Sequence, residues 1–134
     1  RVKATCAPQY ARISRERGAP PRRGHGGRPV GGGCMAGQGF VFVSHRGILQ
    51  PCGFLDVACG DLREANFDFR KLYEESEVFN ALRRPEEYGG RCGVCEYRVM
   101  CGGCRARAYA NTGDYLEQEP ACSYVPKALR GEMT

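Results

Sequence analysis

Two β-rich runs and several short helical periods account for most of the apolar residues in this chain. Over residues 39–52 the order is Gly-Phe-Val-Phe-Val-Ser, then His-Arg-Gly, then Ile-Leu-Gln-Pro-Cys. The outer blocks are rich in β-branched and aromatic residues, and Gly47 closes the block between them. This arrangement predicts a β-hairpin, with Gly47 taking the positive φ of its turn. Phe69, Leu72 and Tyr73 recur at helical spacing behind Asp68, an N-cap residue type. Phe79 and Leu82 mark a second short helix behind Ser76, and Pro85 with Gly89-Gly90 ends it. Nearer the N-terminus, a strand end over 2–5 and a short helix through Tyr10, Ile13 and Arg17 are expected, with Pro8 in the first helical turn. A last helix is expected over 104–110, ended by Asn111-Thr112-Gly113. Residues 53–67 read as irregular, 91–104 as a tight glycine-bearing loop, and those after Pro126 as a trailing tail. The pattern is that of a small α+β domain.

Composition narrows the class. The 134 residues suffice for one domain, or one domain with a tail. Charged residues make up 26% and mean hydropathy is -0.48, as in a soluble globular chain. No apolar run reaches the roughly 18 residues of a membrane span, so no membrane partner is expected. Residues 18–33 hold seven Gly and three Pro, which cannot bury apolar surface and read as a flexible linker with His25 solvated inside it. Charge is uneven: residues 1–33 carry a net +7 and residues 34–134 a net -2. A basic arm can meet phosphate backbones, but this one has Tyr10 as its sole aromatic. A solvated linker is the simpler reading, nucleic acid is not an expected partner, and an anionic small substrate or a partner protein are the alternatives.

Nine cysteines change the picture most. The count is odd and no apolar signal core precedes them, whereas disulfide scaffolds favour even counts in oxidising compartments. Metal ligation in the cytoplasm is the expected use. Cys34 and Cys52 flank Gly47, and the predicted hairpin would bring them together at one edge. Cys92, Cys95, Cys101 and Cys104 follow at spacings of two, five and two intervening residues, and Cys122 comes after a further 17 intervening residues. One zinc held by the two Cys-x2-Cys pairs would leave Cys34, Cys52 and Cys122 idle, and zinc knuckles usually stand further apart. Covalent heme attachment needs His after the second Cys, and Glu96 stands there. The bacterial ferredoxin run is broken by the five residues between Cys95 and Cys101. His25 and His45 pair with no thiol in a way that would suggest a nucleophile. So many thiols in one small domain point to iron–sulfur clusters.

With these spacings the chain resembles the SPASM domain, the auxiliary-cluster domain of many radical SAM enzymes, over about residues 34–126. One departure is visible: two residues, not three, separate Cys101 from Cys104. The resemblance implies two 4Fe–4S clusters. By position, Cys92, Cys95, Cys101 and Cys122 would hold one, and Cys34, Cys52 and Cys104 the other. Cys59 or Cys6 could complete the second set, an open iron being the alternative; the ordinary reading of either is a small hydrophobe. The runs Thr5-Cys6-Ala7-Pro8-Gln9-Tyr10, Gln50-Pro51-Cys52-Gly53-Phe54-Leu55, Cys92-Gly93-Val94-Cys95-Glu96-Tyr97-Arg98 and Cys101-Gly102-Gly103-Cys104-Arg105-Ala106-Arg107 resemble the tetrapyrrole-modifying radical SAM group, and within it the heme synthases that decarboxylate iron-coproporphyrin III.

That resemblance implies an electron-handling domain for oxidative decarboxylation of tetrapyrrole propionates, with a redox protein as partner and Arg105 and Arg107 as candidate carboxylate contacts. Radical SAM chemistry needs a Cys-x3-Cys-x2-Cys loop, and no three cysteines here have that spacing. S-adenosylmethionine and a third cluster would therefore sit in an upstream core, and the chain alone would not be catalytic. Residues 1–17 would be the last strand and helix of that core's barrel, 18–33 the linker, 34–126 the SPASM domain and 127–134 the tail. A peptide-modifying SPASM maturase and a zinc-binding interaction module are the alternatives.

Overall fold

A computed structural model describes residues 6–20 and 33–132. The expected strand end over 2–5 and most of the Gly/Pro stretch lie outside the described residues. Among these residues the chain forms five short α-helices and three short strands: α1 (Gln9–Glu16), β1 (Phe42–Val43), β2 (Ile48–Gln50), β3 (Gly60–Asp61), α2 (Phe69–Glu75), α3 (Glu77–Leu82), α4 (Gly90–Val94) and α5 (Arg105–Thr112). None of the helices is long and apolar enough to cross a membrane.

The hairpin forms as its residues predict. β1 and β2 pair antiparallel, with Phe42 opposite Gln50 and Val43 opposite Leu49. The Ser44 amide donates to the Ile48 carbonyl at 2.9 Å, and Gly47 turns the chain at φ +79°. A third strand, β3, was not expected in the irregular stretch 53–67. It pairs antiparallel with β2, Leu49 opposite Gly60. Gly-Asp has poor intrinsic strand preference, so the pairing comes from the neighbouring strand and not from the local sequence.

Asp68 caps α2 as its residue type predicts, its carboxylate accepting from the Lys71 amide at 3.0 Å. Ser76 stands at the N-cap position of α3 but makes no side-chain cap bond. α5 ends at Gly113 with φ +78°, the left-handed C-cap expected there. Two differences concern the ligand region. Residues 90–94, expected as loop, close into the single turn of α4. The residues after Pro126 form a 3-10 segment (Lys127–Glu132) whose Lys127 amide donates to Glu96 at 3.2 Å.

The apolar core lies between the sheet and the α2–α3 pair. Leu49, Cys59 and Phe79 are buried together, with Val41, Leu72, Tyr73 and Val78 packed against them. Arg83 closes it from one side: its guanidinium lies 4.3 Å above the Tyr73 ring and donates to the Gly37 and Tyr73 carbonyls. Leu82 and Tyr88 extend the core toward the cysteine loops, the Tyr88 hydroxyl donating to the Leu82 carbonyl at 2.6 Å. Since Phe79 is fully buried at the centre of this small core, Phe79→Ala should cost about 3–5 kcal/mol; a large fall in Tm on thermal unfolding checks this.

Candidate metal centre

The loops between α4 and α5 are shaped by backbone hydrogen bonds that present thiols inward. Cys92 lies within α4, Cys95 at its C-cap and Cys104 at the N-cap of α5. Between them, the amides of Met100 and Cys101 both donate to the Tyr97 carbonyl, at 3.1 and 2.8 Å. Cys92, Cys95, Cys101 and Cys122 line one cavity of about 30 Å³, over which α1 contributes Arg12. These are the four residues that the SPASM resemblance implies for one cluster. The Glu119 amide donates to the Cys92 sulfur at 3.3 Å. Burial pushes the Cys101 thiol up to about 11; the Gly103 amide opposes this, while Cys122, Cys92 and Cys95 add to it. Burial likewise raises Cys95, against the pull of the Tyr97 amide. Cys92, Cys95 and Cys101 thus each have a backbone amide toward sulfur, a contact of the kind that tunes a bound thiolate.

The second set is only partly assembled by the fold. Cys34 joins the first set through its own amide, which donates to the Cys101 carbonyl at 3.1 Å. Its thiol is raised by burial, opposed by the amides of Arg105 and Ala36, and raised a little further by Cys104 nearby. Cys52 sits just past β2, in a bridge with Leu55. Cys59 belongs to the apolar core, where burial raises its thiol to about 11 and its S–H lies 3.7 Å from the Val57 carbonyl. Cys6 is exposed and borders a larger cavity of about 360 Å³, which shares Gln9, Arg12 and Cys122 with the first.

Glu119, which sequence reasoning passed over, ties the loops together. Its side chain is fully buried. It accepts from the Cys104 amide at 2.6 Å and the Ala121 amide at 3.1 Å, and takes both prongs of the Arg107 guanidinium at 2.8 and 2.9 Å. Burial alone would raise its carboxyl, but Arg107 and the two amides outweigh it, and the net shift is downward. Arg107 also donates to the Cys6 carbonyl at 3.1 Å, which links α1 to this clamp. No sequence signal separates Glu119 from Glu117 two residues earlier.

Arg105 and Arg107, expected as carboxylate contacts, are both engaged within the protein. Arg107 is the half-exposed partner of Glu119. Arg105 is 1% exposed. It donates to the Tyr115 and Glu117 carbonyls at 3.2 and 2.7 Å, lies 4.4 Å above the Tyr88 ring, and reaches the Cys92 sulfur at 3.5 Å. Between Cys101 and Cys104, Gly103 has φ +64°, and a Cβ there would stand 2.6 Å from Arg105 Nη2, 2.7 Å from Glu119 Cβ and 3.1 Å from Cys92 Sγ. Only glycine fits where these three groups meet.

No family model matches the chain, and no solved structure matches it. Curated proteins do. The AdoMet-dependent heme synthase of Methanosarcina barkeri is 51% identical over 130 residues, covering 93% of this chain and 37% of that protein. The AdoMet-dependent heme synthase of Nitratidesulfovibrio vulgaris is 46% identical over 133 residues, 96% of this chain and 36% of that protein. The PqqA peptide cyclase of Bradyrhizobium diazoefficiens is 33% identical over 99 residues, 69% of this chain and 26% of that protein. The chain therefore spans a little over a third of the heme synthases it matches. The resemblance read from the cysteine pattern holds: by sequence this chain is a homologue of the AdoMet-dependent heme synthases over a segment of their length, with PqqA peptide cyclases further off.

Proposed function

We propose that this chain is the auxiliary iron–sulfur domain of a radical SAM enzyme that oxidatively decarboxylates tetrapyrrole propionates. The observation that carries the reading is the gathering of Cys92, Cys95, Cys101 and Cys122 around one cavity, in a chain half identical to a heme synthase. S-adenosylmethionine and its cluster belong, on this reading, to a core outside the present sequence.

Four thiols around one space are the donor type that an iron–sulfur cluster takes, and among the described residues no group of three or more Cys, His, Asp or Glu side chains is placed to hold a metal ion. A cluster bound there supplies an acceptor for the electron left when a substrate radical loses CO2. The chain's own residues do the rest. Backbone amides and Arg105 favour negative charge on sulfur, the Glu119 clamp fixes the spacing of the loops, and α1 lines the site with Gln9 and Arg12. Cys34, Cys52 and Cys104 are proposed as the second ligand set, with its fourth place taken by Cys59, by Cys6 or left as an open iron. Likeness to a PqqA peptide cyclase supports a second reading, in which the same clusters serve a peptide substrate. Turnover of the whole enzyme with iron-coproporphyrin III, against none with peptide, decides between them.

After anaerobic reconstitution, about eight iron and eight sulfide per chain are expected for two 4Fe–4S clusters. Cys92→Ala should remove about half, and one zinc without sulfide would refute the reading. Gly103→Ala should lower iron loading and destabilise the protein by about 1–3 kcal/mol through strained φ and crowding; iron analysis together with a thermal melt measures both.

A further inference from the structure

Arg105 presents an electrostatic problem. Its guanidinium is 1% exposed, and its Nε has no hydrogen-bond partner. The ion pairs among the described residues involve Arg12, Arg70, Arg84 and Arg107 and do not include it. The nearby Glu119 is committed to Arg107. The partners of Arg105 are two carbonyls, which are neutral, the face of Tyr88, and the sulfur of Cys92. A buried cation without an anion is costly, and native proteins pair such charges or bind them to something negative. A protonated Cys92 thiol would leave the guanidinium uncompensated. Thiolates around an iron–sulfur cluster would compensate it.

The fork is also rigidly aimed. The carbonyls of Tyr115 and Glu117 lie in the return segment between α5 and Cys122, so they fix Nη1 while Nη2 points at Cys92. The backbone amide of the same residue lies toward the Cys34 sulfur, and its charge is felt there too. Tyr88, stacked beneath the guanidinium, is within electrostatic reach of both Cys34 and Cys92. Arg105 thus stands between the two groups of cysteines, closest to the assembled one.

We propose that Arg105 is a positioning residue whose buried positive charge raises the reduction potential of the cluster held by Cys92, Cys95, Cys101 and Cys122. The inference rests on the cluster reading above. Adding an electron to a cluster makes it more negative, so a fixed cation and an N–H aimed at its sulfur stabilise the reduced form. Removing the charge should make reduction harder and leave the ligands in place.

The test is a dithionite titration of the reconstituted protein, followed by the EPR signal that Cys92→Ala abolishes. Arg105→Gln keeps polar contacts but loses the charge. Its iron content should match the unaltered protein, and its midpoint should move negative by at least tenfold in the reduction equilibrium, about 59 mV for one electron. Arg105→Lys keeps the charge and should stay near the unaltered midpoint. A loaded Arg105→Gln protein with an unchanged midpoint overturns the inference. If Arg105→Gln fails to hold iron, Arg105→Lys decides: a loaded lysine variant near the unaltered midpoint supports a requirement for charge. An empty lysine variant shows that only the fork geometry matters and overturns the electrostatic role. An unaltered protein with no iron or sulfide overturns the cluster reading and this inference with it, whereas a clustered protein indifferent to Arg105 overturns this inference alone.

Discussion

The buried carboxylate of Glu119 is the contact on which the cysteine region depends. It bonds the amide that begins α5, the amide next to Cys122, and Arg107 from the middle of α5. These bonds hold Cys104 and Cys122, 18 residues apart in sequence, in one frame. A buried carboxylate survives only when its lone pairs are met, and here two amides and a forked guanidinium meet them. Because Arg107 also holds the Cys6 carbonyl, the same clamp sets where α1 lies over the cavity. The glycine at position 103 is the steric counterpart: a side chain there would run into the clamp, the arginine beside it and the Cys92 sulfur together.

Apolar packing contributes less to this half of the molecule. The core of Leu49, Cys59 and Phe79 sits on the far side, between the sheet and α2–α3. The strands are two or three residues long, too short to be stable as isolated pairs. What connects the core to the cysteine loops is a narrow bridge, Leu82 to Tyr88 to Arg105. A domain of this kind gains order when thiols are bound together, so metal and fold are expected to be coupled. The rings of Phe40, Phe42 and Phe54, in and beside the hairpin, are exposed.

Features with local causes were legible in the sequence. The hairpin followed from two β-rich runs and one glycine, the α2 cap from Asp68, and the end of α5 from Gly113. The cysteine pattern also carried the family resemblance, and the set Cys92, Cys95, Cys101 and Cys122 that the resemblance implies borders a single cavity. What escaped was set by tertiary contact. β3 exists because β2 offers an edge to a Gly-Asp pair with no preference of its own. α4 is a single turn in a run whose glycines signal loop. Glu119 looks like Glu117 until the fold buries one and not the other, and the packing of Cys59 with Leu49 and Phe79 is likewise set by the fold.

The two arginines after Cys104 show how position divides similar residues. They are two apart on α5, so they point in different directions from the helix. Arg107 stays half-exposed and spends its fork on a carboxylate, so its charge is neutralised locally. Arg105 turns inward, where its carbonyl partners leave its charge intact. A neutralised surface arginine fixes geometry, while an uncompensated buried one creates a field, strong because the surroundings are dry. That field falls on the sulfurs of Cys92 and Cys34. The residue therefore makes physical sense when those sulfurs carry negative charge, as they do when bound to iron.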